Sequence, residues 1–126
     1  MDVKSREEII KFAQKLNSTN LSPLRSGNIS LKTQNNNEEG FLITPSGKKY
    51  DSLKADDIVF VSLEGKYDEK GLQPSSEWRF HKDIYLKKAD AKAVVHAHSP
   101  HATAVSAHNK DVPAFHYMIA LAGGDN

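Results

Sequence analysis

Ala93-Val94-Val95-His96-Ala97-His98 joins the strongest strand signal of the chain to its most closely spaced pair of histidines. A short apolar run with two β-branched valines, closed off by Ser99-Pro100, predicts a buried strand. On a strand, residues i and i+2 point to the same face, so His96 and His98 stand side by side, as a metal ion requires. A lone His-x-His is a short motif, and two ordinary histidines at a surface edge read the same way. Pro100 suits the first turn of a following helix, predicted to run to about His108.

Working back towards the N-terminus, the pattern alternates without a regular βαβ rhythm. Ile9, Ile10, Phe12, Ala13 and Leu16 form a helical stripe, with Ser5 and Glu8 spaced as a capping box. Ile29–Thr33 and Gly40–Ile43 predict a hairpin closed at Asn35-Asn36-Asn37. Ile58–Leu63 predicts a third strand, turning at Glu64-Gly65 into a returning partner at Lys66-Tyr67. A helix is predicted from about Ser76 to Lys88, packing through Trp78, Ile84, Tyr85 and Leu86. Residues 113–121 carry no firm assignment. The resulting class is α/β of the α+β kind: a largely antiparallel central sheet flanked by helices, in one domain over residues 1–126.

Composition narrows the function. Seventeen basic residues against sixteen acidic leave a net charge of +1, which gives no electrostatic reason to expect nucleic acid or membrane as a partner. With no cysteine, a metal would have to be held by His, Asp or Glu. The first residues lack the apolar core of a signal peptide, and no apolar run reaches membrane-spanning length, so a cytoplasmic protein is expected.

Three other segments combine polar chemistry with turn residues. In Pro74-Ser75-Ser76-Glu77 a carboxylate follows two hydroxyls at a helix start. Either serine suits an N-cap and Glu77 suits the positive helix end; equally, Glu77 serves as metal ligand or base while Ser75, Ser76 and free N–H groups hold a phosphate. Ser26-Gly27-Asn28 and Thr44-Pro45-Ser46-Gly47 are either plain turns or loops whose N–H groups approach an anion.

Together, Ser-Gly-Asn-Ile-Ser (26–30), Thr-Pro-Ser-Gly (44–47), Pro-Ser-Ser-Glu-Trp-Arg-Phe-His (74–81) and Val-Val-His-Ala-His (94–98) resemble the class II aldolase/adducin family in order and spacing. The resemblance covers essentially the whole chain and continues through Pro113–Ala120 and Gly123-Gly124. It implies a Zn2+ enzyme with His96, His98 and Glu77 at the metal, Glu77 also acting as acid/base. It further implies a phosphate site of Gly27, Asn28, Ser46, Gly47, Ser75 and Ser76. Tyr117 matches a tyrosine that reaches a neighbouring subunit's site in a homotetramer. The activity so implied is cleavage of a sugar phosphate, a ketose 1-phosphate such as L-fuculose 1-phosphate, into dihydroxyacetone phosphate and L-lactaldehyde. The scaffold also carries a 4-epimerase, a dehydratase, a decarboxylase and the non-catalytic adducin branch; retention of Glu77, His96 and His98 tells against the last. The family's third zinc histidine lies downstream of Asn126, so weak zinc binding and impaired activity are expected of this chain alone, with His101 a remote substitute.

Overall fold

The computed structural model describes residues 3–24, 26–111 and 113. Its frame is a sheet of four strands, β1 (Asn28–Asn35), β2 (Glu38–Ile43), β3 (Val59–Ser62) and β4 (Ala93–His96), in the order β3-β2-β1-β4. Every pairing is antiparallel, as the hairpin signals predict. Asn36 and Asn37 form the two-residue β1–β2 turn with φ of 49° and 66°. Positive φ at both central positions suits the right-handed twist of the strands, and asparagine tolerates it.

The sheet is covered on both faces because its centre is apolar on both. Leu42 points to one face and joins Ile29, Leu53 and Ile58 under Ile9, Ala13 and Leu16 of helix α1 (Val3–Ser18). Phe41 and Ile43 point to the other and join Val61 and Val94 under Trp78 and Tyr85 of helix α2 (Trp78–Lys87). Gly40 marks where β2 and β3 pack tightest. A Cβ there would lie 2.4 Å from the Val61 carbonyl oxygen, a backbone atom that cannot swing aside. Gly40→Ala is therefore expected to destabilise the fold by about 1–3 kcal/mol, read as a lower urea midpoint with unchanged m-value.

Several local expectations are corrected. Helix α1 begins at Val3, so Ser5 lies inside it and does not cap it, and Phe12 is 43% exposed. Lys66-Tyr67 is no strand: the Ser62 N–H donates to the Lys66 carbonyl at 2.9 Å, closing a turn at Gly65, and Tyr67 packs edge-on to Trp78. Leu86 faces away from the core. The fourth strand is an edge strand, hydrogen-bonded to β1 alone among the described residues; Val94 is buried but Val95 is 59% exposed. It also ends at His96, so Ala97 and His98 leave the ladder. Helix α3 (Pro100–Ala107) starts at the proline as expected and buries no residue.

Candidate metal centre

Three chain segments converge at the end of the β1–β4 pair. Register places Asn28, the first residue of β1, opposite His96, the last of β4. Glu77 stands immediately before α2 and makes no side-chain cap. The helix entry is made by backbone instead, with the Trp78 N–H donating to the Ser75 carbonyl at 2.9 Å, so neither serine is the cap that the sequence suggests. Freed from capping, the Glu77 carboxylate turns to the sheet. Its Oε2 lies 2.7 Å from His96 Nδ1 and accepts from Asn28 Nδ2 at 2.5 Å.

The imidazoles of His96 and His98 lie 4.7 Å apart, tilted by 46°. They are neighbours as expected, although His98 is not on the strand. It is placed instead by its backbone N–H, which donates to Ser22 Oγ at 2.8 Å. One ligand atom from each of Glu77, His96 and His98 lies within 4.8 Å of the others, and no other His/Cys/Asp/Glu cluster of that kind occurs among the described residues. His101 and His108 stay apart from it. Two imidazole nitrogens and one carboxylate oxygen are a donor set that catalytic zinc sites use, with a fourth position open, so the residues suit the ion.

Electrostatics keep the carboxylate charged. Burial pushes the Glu77 carboxyl up, but the hydrogen bonds from Asn28 and His96 and the nearby imidazole charge outweigh it, and the group sits below the ordinary glutamate range. Behind Asn28 lies His81, fully buried; burial, reinforced by the charge of His96, pushes its pKa down to about 4.

Beside this cluster opens a polar cavity of 220 Å³ that brings together all six residues expected at the phosphate: Gly27, Asn28, Ser46, Gly47, Ser75 and Ser76. Their loops are stitched by backbone: the Ser46 N–H donates to the Gln73 carbonyl at 2.9 Å and the Ser75 N–H to the Thr44 carbonyl at 3.0 Å. Gly27 cannot be replaced freely. Its φ is +78°, and a Cβ would lie 2.5 Å from Ser22 Oγ and 2.6 Å from the His96 carbonyl oxygen. The same glycine's carbonyl accepts from the buried Tyr50 hydroxyl at 2.5 Å. A larger cavity of 510 Å³, lined by Arg6, Phe60 and Tyr67 among others, contains none of these residues, so chemistry rather than size marks the site.

Sequence reading assigns no site role to Lys48, Tyr50 or the hydrogen-bonded group of Ser30, His81 and Tyr85, although Tyr85 packs in the core as expected. Lys48 lines the phosphate-type cavity and pairs with Asp57 at 2.6 Å; its position directly after the Gly47 turn was a usable signal. So was the Glu77–His81 spacing at a helix start, which puts both residues on one side of the helix. Tyr117, expected to serve catalysis, lies outside the described residues.

Residues 7–126 match the family model of the Class II Aldolase and Adducin N-terminal domain. The chain is 45% identical over 123 residues to an L-fuculose phosphate aldolase of Escherichia coli K12, covering 98% of this chain and 55% of that protein. It is 40% identical over 121 residues to a 5-methylthioribulose-1-phosphate/5-deoxyribulose-1-phosphate aldolase of Rhodospirillum rubrum, covering 96% and 52%. A solved L-fuculose 1-phosphate aldolase superposes with a TM-score of 0.81 at 36% identity, over 93% of this chain and 54% of that one. The chain thus spans about half the length of the curated relatives it matches.

Proposed function

This chain belongs to the Class II Aldolase and Adducin N-terminal domain family, and from that premise we propose that it carries the metal and phosphate sites of an aldolase cleaving a ketose 1-phosphate such as L-fuculose 1-phosphate to dihydroxyacetone phosphate and L-lactaldehyde. The observation that carries this reading is the adjacency of the Glu77–His96–His98 cluster to a polar cavity lined by Ser46, Ser75 and Ser76. His96 and His98 would hold Zn2+ with Glu77. Bound there, the ion supplies Lewis-acid polarisation of a substrate carbonyl. In the condensation direction Glu77, held below the ordinary glutamate range, would take a proton from the carbon of dihydroxyacetone phosphate beside its carbonyl; in the cleavage direction the same group would return that proton to the carbon freed when the carbon–carbon bond breaks. The hydroxyls of Ser46, Ser75 and Ser76 hold the phosphate, and Lys48, paired with Asp57, stands at the rim of the same cavity. Tyr117 and a homotetrameric assembly complete the reading by family resemblance.

A second substrate is favoured by the 40% identity to the Rhodospirillum rubrum protein, whose name specifies a 5-methylthioribulose or 5-deoxyribulose 1-phosphate. Among the described residues no helix is long and apolar enough to cross a membrane. The test is release of dihydroxyacetone phosphate from a panel of these ketose 1-phosphates by metal-stripped protein with and without added Zn2+. Zinc-dependent release from one member supports the reading and selects the substrate. A chain that binds neither Zn2+ nor any of the sugar phosphates refutes it.

A further inference from the structure

A line of hydrogen bonds runs from the buried side of the sheet to the Glu77 carboxylate. The Tyr85 hydroxyl lies 2.7 Å from Ser30 Oγ, and Ser30 Oγ lies 2.7 Å from His81 Nδ1. His81 Nε2 meets Asn28 Oδ1, and Asn28 Nδ2 reaches Glu77 Oε2 at 2.5 Å. Tyr85, Ser30 and His81 are each 2% exposed or less, and Asn28 is 4% exposed, so no water competes for the bonds among these four, while the last bond, to Glu77, is part-buried.

The direction of the line follows from its last member. An ionised carboxylate only accepts, so Asn28 must turn its NH2 towards Glu77 and its oxygen towards His81. An amide oxygen also only accepts, so His81 Nε2 must carry the ring proton. In the neutral ring Nδ1 is then a bare lone pair, to which the Ser30 hydroxyl donates. The Ser30 oxygen is left to accept from the Tyr85 hydroxyl. Reversing any one bond sets two acceptors or two donors face to face in a buried site, a cost of about 1–3 kcal/mol for each group left unsatisfied.

We propose that His81, held as the neutral Nε2–H tautomer by Ser30 and Tyr85, is a positioning residue that orients Asn28 and through it aims the Glu77 carboxylate at His96 and His98. Its ring touches neither substrate nor a ligand side chain, and only its backbone N–H reaches the Glu77 carbonyl, at 3.4 Å. The α2 helix and the β1 strand are thereby locked together at the point where their side chains meet the site. The inference rests on the metal reading only for its effect on the ion. Its hydrogen-bond content stands on this chain alone.

Two measurements on the whole chain test it. In the metal-stripped, 15N-labelled protein at pH 7, long-range proton–nitrogen correlation should show His81 protonated at Nε2 only. A ring protonated at Nδ1, or charged, overturns the proposal. Zn2+ titration of the unmodified chain and of His81→Phe, a substitution that keeps a ring but removes both nitrogens, should show roughly 10- to 100-fold weaker binding in the variant with an unchanged far-UV spectrum. Equal affinity would mean that Asn28 and Glu77 hold their places without His81, and overturns the proposal. Should the variant not fold, the tautomer of the unmodified chain decides. Should neither protein bind Zn2+, the metal reading fails while the tautomer still decides the positioning role.

Discussion

Replacing His96 by alanine is expected to weaken Zn2+ binding by on the order of 100-fold or more. Structural zinc binding worth about 10–16 kcal/mol over four ligands assigns roughly 3 kcal/mol to each, and 1.4 kcal/mol is tenfold in affinity. Here the loss should be at the upper end, because His96 does two jobs. Its ring is a ligand candidate, and its Nδ1 is also 2.7 Å from Glu77 Oε2, so the carboxylate loses a partner together with the metal. His98→Ala removes a ligand but leaves the Asn28–Glu77–His96 contacts, and should cost less. His101→Ala, outside the cluster, is the control and should change nothing. Competition titration against a chelator of known affinity measures all three. A His96→Ala chain that binds as tightly as the parent would show that the ion is held elsewhere.

Acid should unfold this protein earlier than its carboxylates alone would dictate, with His81 as the cause. Its pKa is about 4 in the fold against 6.5 for a free imidazole, because the site is dry and the charge of His96 lies close, with the opposing pull of Glu77 too weak to offset them. Between those values the unfolded chain binds a proton that the folded chain refuses, so stability falls as pH falls. The contribution is complete above pH 6.5 and gone by about pH 4, a loss of about 3 kcal/mol at 1.36 kcal/mol per unit. Against a total stability of about 5–15 kcal/mol this is a large share. Glu77, whose pKa is depressed below 4.5, contributes in the same direction but only at still lower pH. Urea midpoints at pH 7 and pH 4.5 should therefore differ strongly in the parent and much less in His81→Phe. A parent whose midpoint is flat across that interval would show that the ring is already charged in the fold.

Much of the architecture was readable from side-chain patterning. The stripe Ile9–Ala13–Leu16 and the alternation through Phe41, Leu42 and Ile43 predict elements from local periodicity, and those elements form. The hairpin asparagines, the proline that opens α3 and the two histidines of 96–98 are equally local. Errors arose where a distant partner decided the outcome. Ser75 and Ser76 look like caps, yet the helix entry is closed by the Ser75 carbonyl. Val95 looks buried, yet β4 has a partner on one side only among the described residues.

What the sequence determined by itself was the inventory: which residues are able to hold a metal or a phosphate, and the elements that bear them, because periodicity, turn chemistry and side-chain donors are properties of neighbours along the chain. Their relation in space came from long-range packing. The Asn28–His96 register, the turn of Glu77 away from its helix, the anchoring of His98 by Ser22, and the burial of His81 between Asn28 and Ser30 all join residues far apart in sequence. Such contacts form only when two faces of one sheet are covered at once, and burial then forces every polar group in the line to find the one partner within reach.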